Sequence, residues 1–382
     1  MKLKAGIIGL GGFSKIILKS LERSRIVEVV AAADIRQEMR LEADETFNIS
    51  NIYDRAEDIF SDSSIQIVII ATPPFLHAQL GKKAMEAGKH VFFEKPGSIT
   101  LEQMQELIQL SQKKGVVATV DFVMRRNPLY LILKNLFTTQ VFGLPERVFL
   151  ENYAHDDTLP ADHWFWDPNK SGGIWVEHGV HFIDLVQWLI GQPSTVQAIK
   201  INRDRYNLID RVAGTAVHNS TLVSYYHGFT KPEVFEKTNF YAVFERAYVQ
   251  LNGWIPIEME IDALLTSDMG KYLTDDLLKE ARRYLCSIDT VLEMRQLKKF
   301  GESERNLKGR GKGYFADGRY KLIYRLNRDR WEVYRASVLE GITDLASVLL
   351  GKKASPDVTL EDAKKALETA LKMEMNTNQE KN

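Results

Sequence analysis

Leu3-Lys4-Ala5-Gly6-Ile7-Ile8-Gly9-Leu10-Gly11-Gly12-Phe13-Ser14 is the stretch on which the fold turns. An apolar run ends in a glycine, two more glycines follow, and Phe13, Ile16, Ile17 and Leu21 then recur at helical spacing. Strand, glycine-rich turn and helix in that order give a Gly-x-Gly-x-x-small pattern its weight. Gly9 permits a tight turn. Gly11 has no Cβ to bar a pyrophosphate from the free amides and positive dipole end of the helix. Ser14 replaces the usual third glycine and is still small. Gly9, Gly11, Gly12 and Phe13 are therefore the first candidate cofactor-binding residues.

Outward from this turn, the first 122 residues alternate strand and helix. Ile26–Ala33 reads as the second strand, and Arg36–Phe47 is charged and helical in character. Ile65–Ala71 is nearly all apolar, as a strand buried on both faces should be. Leu76–Ala87 is a helix stopped by Gly88, Val91–Phe93 a fourth strand, Leu101–Lys113 a helix and Val116–Phe122 a fifth strand. Repeated β-α units predict an α/β fold with a parallel, doubly wound sheet. Asp34 closes the second strand about twenty residues past Ser14, where a carboxylate can hold both ribose hydroxyls of a dinucleotide. It would repel a 2′-phosphate by roughly 3 kcal/mol at about 5 Å and an effective dielectric of about 20. That favours NAD, while Arg36 can meet a phosphate and leaves NADP open.

The pattern changes after residue 123. Pro128–Phe137 and Gly173–Leu189 read as helices and Glu146–Tyr153 as a strand. Five β-rich runs follow without intervening helices: 195–203, 211–218, 221–228, 236–244 and 246–251. They predict a mostly antiparallel sheet in an α+β second domain over 123–382. Residues 262–300 read as helix, and 301–329, rich in Gly, Arg and Lys, as a loop or hairpin. Trp331–Leu350 and Leu360–Met373 read as closing helices, and the polar tail Asn376–Asn382 is expected to fray.

Three segments carry candidate chemistry. Thr72-Pro73-Pro74, with His77 just beyond, ends the third strand, and Glu94-Lys95-Pro96 ends the fourth. In open parallel sheets ligands bind beyond the carboxyl ends of the strands, so both segments should face one cleft. A lysine there can hydrogen-bond a reacting hydroxyl and lower its pKa; the bland alternative is a surface salt bridge. The third segment is Gly172-Gly173-Ile174-Trp175-Val176-Glu177-His178-Gly179-Val180-His181-Phe182-Ile183-Asp184. On an α-helix Glu177, His181 and Asp184 share a face. Glu177 is then expected to hydrogen-bond His181, fix its tautomer and raise its basicity, as a general base requires. The two glycines ahead of the helix leave room for a ligand. A metal reading is set aside, because the His178/His181 spacing is one short of the usual zinc helix and no cysteine supports it. Trp166, in His163-Trp164-Phe165-Trp166, can stack on a sugar face or pack in the core, and Arg126 can reach the cleft. Arg126, Trp166, His178 and Asp184 are the candidate substrate ligands, with His155, His218 and His227 on the sheet domain behind them.

Composition bounds the class. A chain of 382 residues exceeds what one core usually supports, so two domains are the default. A formal net charge of −1 gives no electrostatic case for nucleic acid or an anionic membrane as partner. No apolar run approaches the roughly 18 residues of a membrane helix. A strand beginning at Lys2 leaves no room for a signal peptide, and the single cysteine, Cys286, fits a reducing compartment. The expectation is a soluble, cytoplasmic protein.

Together these residues resemble the glucose–fructose oxidoreductase/inositol dehydrogenase/MocA (Gfo/Idh/MocA) family. The likeness is carried by Gly9, Gly11 and Gly12; by Ala71-Thr72-Pro73 with His77; by Glu94-Lys95-Pro96; and by Gly172-Gly173 through Asp184. Residues 255–330 match least well, and Glu177 stands where the family usually has Asp. The resemblance implies a Rossmann domain over 1–122, then a domain whose open sheet forms a homodimer or homotetramer interface. It implies NAD(P)-dependent hydride transfer at a hydroxyl-bearing carbon of a sugar, sugar derivative or cyclic polyol. By that likeness Lys95 polarises the hydroxyl, His181 exchanges the proton, Glu177 fills the Asp position, and Thr72, Pro73, His77 and Glu94 hold the cofactor. Two other readings compete: a glycoside-cleaving enzyme that retains NAD, and a non-catalytic sensor of sugar and cofactor. A methyltransferase reading of the glycine turn leaves Glu94-Lys95-Pro96 unexplained.

Overall fold

Six parallel strands form the first sheet, in the order β3-β2-β1-β4-β5-β6. They are β1 (Leu3–Ile8), β2 (Val27–Ala33), β3 (Asn51–Tyr53), β4 (Ile67–Ile70), β5 (His90–Phe93) and β6 (Ala118–Val120). The computed structural model describes residues 2–156, 158–203, 208–279, 290–309 and 311–375, with the backbone of 377–379. Cys286 lies outside the described residues. The chain builds outward from β1 through β2 to β3, then returns to the other side of β1 as β4. That reversal opens a crevice at the carboxyl ends of β1 and β4, where the glycine turn and Thr72 stand. All four side chains of β4 are 0% exposed, which explains its unbroken apolar sequence. Five strands were expected. The sixth, β3, is three residues long and half exposed, too short to show any alternation.

The second sheet has ten strands in the order β14-β17-β13-β12-β11-β7-β10-β9-β8-β18. Its members are β7 (Pro145–His155), β8 (Thr195–Arg203), β9 (Leu208–His218), β10 (Thr221–Lys231), β11 (Lys237–Phe244), β12 (Ala247–Asn252), β13 (Glu258–Leu265), β14 (Thr290–Lys299), β17 (Gly318–Leu326) and β18 (Thr377–Gln379). Among the described residues only the β7–β10 and β8–β18 pairs are parallel, so the sheet is mixed but mostly antiparallel. A separate hairpin, β15 (Asn306–Gly309) and β16 (Lys312–Phe315), lies outside it.

Three expectations fail here. Residues 262–300 are not one helix. They hold the end of β13, a helix at Ser267–Lys271 that widens over Tyr272–Asp276, and β14. In β13, Met259, Ile261, Ala263 and Leu265 are buried and alternate with half-buried Glu258, Glu260, Asp262 and Leu264, a period of two rather than 3.6. β14 is an edge strand whose exposed Glu293, Arg295, Lys298 and Lys299 imitate a solvated helix face. Pairing with β17 overrides that local character. Residues 301–329 hold the hairpin and also the long strand β17. The tail does not simply fray, since Thr377–Gln379 pairs in parallel with Ala198–Lys200.

The expected helix 173–189 also departs from regularity. Trp175–Gly179 forms a wide π turn that runs into the α-helix Val180–Ile190. The closing helices, Arg330–Leu349 and Leu360–Met375, return to the first domain. The Tyr334 ring meets Phe13 of the glycine turn at 5.9 Å, and Thr119 of β6 donates to the Val358 carbonyl at 2.7 Å. Among the described residues, no helix is long and apolar enough to cross a membrane.

Candidate active site

The crevice begins at Gly9, where φ is +90° and a Cβ would sit 2.5 Å from the Ala71 carbonyl oxygen. The ends of β1 and β4 approach so closely that only glycine fits. A Cβ at Gly11 or Gly12 would meet nothing within 4 Å, so space opens above the first turn of the helix Gly12–Leu21. That helix has no side-chain cap and no acid in its first turn, which leaves its amides free for an anion. Asp34 is nearly buried. It accepts the Leu10 N–H at 2.8 Å and the Arg36 N–H at 2.8 Å, and Arg36 Nε and a terminal nitrogen each reach it at 3.2 Å. Burial pushes its carboxyl upward, but the bonds from Arg36 and Leu10 outweigh that and hold it below the usual range. The Arg36 side chain is half exposed while it holds Asp34.

A buried polar atom at the end of β4 has no partner: Thr72 Oγ1. That orphaned atom, with open space at Gly11 and Gly12, fits a dinucleotide that would supply what it lacks. Pro73 leads into a short turn, Pro74–Leu76. His77, expected among the cofactor ligands, is 0% exposed and does not reach the crevice. Its ring nitrogens face the Pro96 and Thr72 carbonyls at 2.5 and 2.6 Å, so it brackets the ends of β4 and β5.

Lys95 is the hub of the site. Its Nζ donates to the backbone carbonyl of Glu177 and to Glu177 Oε1, both at 2.7 Å, across 82 residues of sequence. Both side chains are mostly buried. The expected Glu177–His181 bond is not made. The π turn inserts an extra residue into the helical repeat, and Glu177 swings to the lysine instead. His181 lies edge-on to Trp254 at 5.1 Å and to Phe122 at 6.2 Å, and its Nδ1 is buried without a partner. Burial, then the positive charge of Lys95, then His178 push the His181 imidazole well below its ordinary value, so it is neutral. His178 is pushed down to about 3 by burial and by Lys95; its Nε2 meets Asn152 Oδ1 at 2.9 Å and its ring stacks on Trp254 at 5.9 Å.

The other sequence candidates fall elsewhere. Asp184 is 1% exposed and locked to Arg125 by two bonds of 2.8 and 2.5 Å, so it is a core ion pair rather than a substrate ligand. Arg126 is also buried, facing Asp121 at 3.9 Å and Asp344 at 3.7 Å behind the site. Trp166 packs on Phe165 and Phe229 with Arg203 over its ring, and its Nε1 donates to the Leu159 carbonyl at 3.1 Å. Gly173, expected to leave room for a ligand, has that room filled by Glu374.

Two features escaped the sequence. Trp254, in the turn between β12 and β13, covers His178, His181 and Phe182. A single tryptophan beside Gly253 and Pro256 was its sole signal. Asp121 is the second: buried beside Glu94, it forms a hydrogen-bonded carboxyl pair with it. Burial, with Arg126 only partly offsetting it, lifts Asp121 to about 7, and burial together with Asp121 lifts Glu94. The two acids therefore hold a proton between them at neutral pH.

Comparison with known proteins agrees with this architecture. Residues 3–122 match the family model described as oxidoreductase family, NAD-binding Rossmann fold, and residues 132–233 match the Gfo/Idh/MocA C-terminal domain. Inositol 2-dehydrogenase of Salmonella typhimurium is 31% identical over 195 residues, 50% of this chain and 56% of that protein. Levoglucosan dehydrogenase of Pseudarthrobacter phenanthrenivorans is 31% identical over 170 residues, 44% of each chain. The chain thus spans about half the length of the curated relatives it matches. A solved levoglucosan dehydrogenase, in complex with NADH and levoglucosan, superimposes with a TM-score of 0.74 at 16% identity, over 98% of this chain and 97% of that one. That likeness speaks for the fold alone. With both family domains matched in order over more than half its length, the chain belongs to the Gfo/Idh/MocA oxidoreductase family and carries its NAD-binding Rossmann fold.

Proposed function

We propose that the protein is an NAD(P)-dependent dehydrogenase or reductase. It moves a hydride between nicotinamide and a hydroxyl-bearing carbon of a sugar, sugar derivative or cyclic polyol. The observation that carries this reading is Lys95 held by Glu177 at the carboxyl end of β5, close enough to His181 for its charge to depress the imidazole. Residues 1–122 bind the cofactor: the amides after Gly11 take the pyrophosphate, Asp34 the adenine ribose, and Thr72, Pro73 and Glu94 the nicotinamide side. When bound, the nicotinamide accepts or returns the hydride.

The chain's own residues handle the proton. A substrate hydroxyl takes over one of the Lys95 bonds now made to Glu177, and the amine lowers the pKa of that hydroxyl. His181, neutral and largely buried, accepts the hydroxyl proton at a ring nitrogen during oxidation and returns it during reduction. Trp254 and His178 wall the pocket and exclude water. Residues 123–382 thus supply the substrate side. Asp34 favours NAD over NADP. The exposed face of the second sheet bears Tyr153 against Tyr226 and Phe149 against Tyr241, a suitable surface for a homodimer or homotetramer. A cytoplasmic location fits the single cysteine.

A panel of sugars, inositols and sugar acids with NAD and NADP, followed by NADH or NADPH absorbance, tests the reading. Net reduction of the cofactor by a free polyol or sugar is expected, with NAD preferred. Release of an aglycone with no net NADH points instead to glycoside cleavage. Tight sugar and NAD binding with no turnover points to a sensor.

A further inference from the structure

Glu374 lies 199 residues beyond Trp175 and reaches back to the turn that holds Lys95. Its Oε1 accepts the Trp175 N–H at 2.9 Å. Its other carboxylate oxygen pairs with Lys200 of β8, and Lys200 Nζ also donates to the Glu374 carbonyl at 2.8 Å. Both side chains are only 13% exposed, so this is not a loose surface pair. Gly173 has φ +88°, and a Cβ there would sit 2.5 Å from Glu374 Oε1. The glycine is needed so that the carboxylate can reach the amide. Three residues further, Thr377–Gln379 pairs with Ala198–Lys200, so the backbone is pinned to the same strand that supplies Lys200. A carboxylate at the start of a helical turn satisfies an amide that has no helical partner and opposes the positive end of the dipole. The turn so anchored, Trp175–Gly179, is the one whose Glu177 holds Lys95 through both its carbonyl and its carboxylate.

We propose that Glu374 is a positioning residue for Lys95. By clamping Gly173 and Trp175 against Lys200, it keeps the wide turn in the shape that offers two oxygens of Glu177 to the lysine amine. The consequence for turnover rests on the oxidoreductase reading above; the clamp itself does not.

The full chain carrying Glu374→Ala, Glu374→Gln or Lys200→Met is compared with the parent by hydrogen–deuterium exchange. The reactivity of Lys95 toward reductive methylation is read in parallel by mass spectrometry. Glu374→Ala is expected to speed exchange of the amides over 173–181 by roughly tenfold and Lys95 methylation severalfold, with the rest of the chain near the parent. Glu374→Gln keeps an oxygen acceptor for the Trp175 amide and is expected to restore most of the protection. Lys200→Met, which leaves Glu374 without its cation, should fall between the two. NADH fluorescence titration should give the same affinity for all four proteins within about twofold, since the clamp lies away from the glycine turn. Parent-like exchange and Lys95 reactivity in both Glu374→Ala and Lys200→Met would overturn the proposal. So would a rise spread evenly over the chain, or Glu374→Gln behaving as Glu374→Ala. Failure of every sugar and polyol in the substrate panel would count against the oxidoreductase reading and leave these readouts untouched.

Discussion

Arg125 and Arg126 are neighbours in one short turn, both buried, and they serve opposite kinds of environment. Arg125 closes a two-bond pair with Asp184 and has Asp362 at 3.8 Å. Arg126 makes no hydrogen bond through any of its three side-chain nitrogens. It supplies charge at a distance to Asp121 and Asp344, beside an acid pair that lies against Lys95. One cation is spent on geometry, the other on field. A closed pair fixes how helix Val180–Ile190 sits, whereas an open one leaves the protonation of Glu94 and Asp121 adjustable. The contrast also warns that burial and charge alone do not mark a ligand, since both arginines have both.

The largest effects belong on the field side. Lys95→Ala and His181→Ala should each lower turnover by about 10²–10⁴ while NAD still binds, as judged by NADH fluorescence and cofactor turnover. A double variant working at full rate would break the mechanism. Next, Arg125→Ala strands the Asp184 carboxylate in the core and should cost about 3–5 kcal/mol of stability in urea unfolding. Replacing both partners, Arg125→Met with Asp184→Leu, should recover much of that loss. Arg126→Ala should cost less than Arg125→Ala, because Asp121 answers the loss of the cation by holding its proton more firmly. Equal losses would erase the comparison.

The smallest effect is in pH dependence. Asp121, lifted to about 7, keeps a proton in the folded chain that an unfolded aspartate, with its ordinary value of 3.8, has already lost. Its contribution to stability is therefore greatest below about pH 4 and declines as pH rises through about 7. Asp121→Asn removes that slope. The melting temperature of the variant minus that of the parent should grow from about pH 5 to about pH 8. A constant difference would show that the acid pair does not titrate as described.

The legible parts of the molecule were those whose physics is local. Gly9 had to be glycine because of its own φ and the strand beside it, and β4 had to be apolar because both faces are covered. Lys95 and His181 stand out as candidates because strand ends and helical spacing carry their own marks. Helical spacing pairs Glu177 with His181, and a π turn, which leaves no periodic trace, redirects Glu177 to Lys95. β13 is hidden although Met259, Ile261, Ala263 and Leu265 alternate, because the longer run to residue 300 has helical character. β14, Trp254 and Glu374 depend on contacts made across long stretches of chain, and no window of neighbouring residues contains them.

The reach of Glu374 has a bearing on biosynthesis. The glycine turn, both sheets' early strands and Lys95 itself leave the ribosome well before residue 374 does, so the contact between Glu374 and the Trp175 amide can form only late in synthesis.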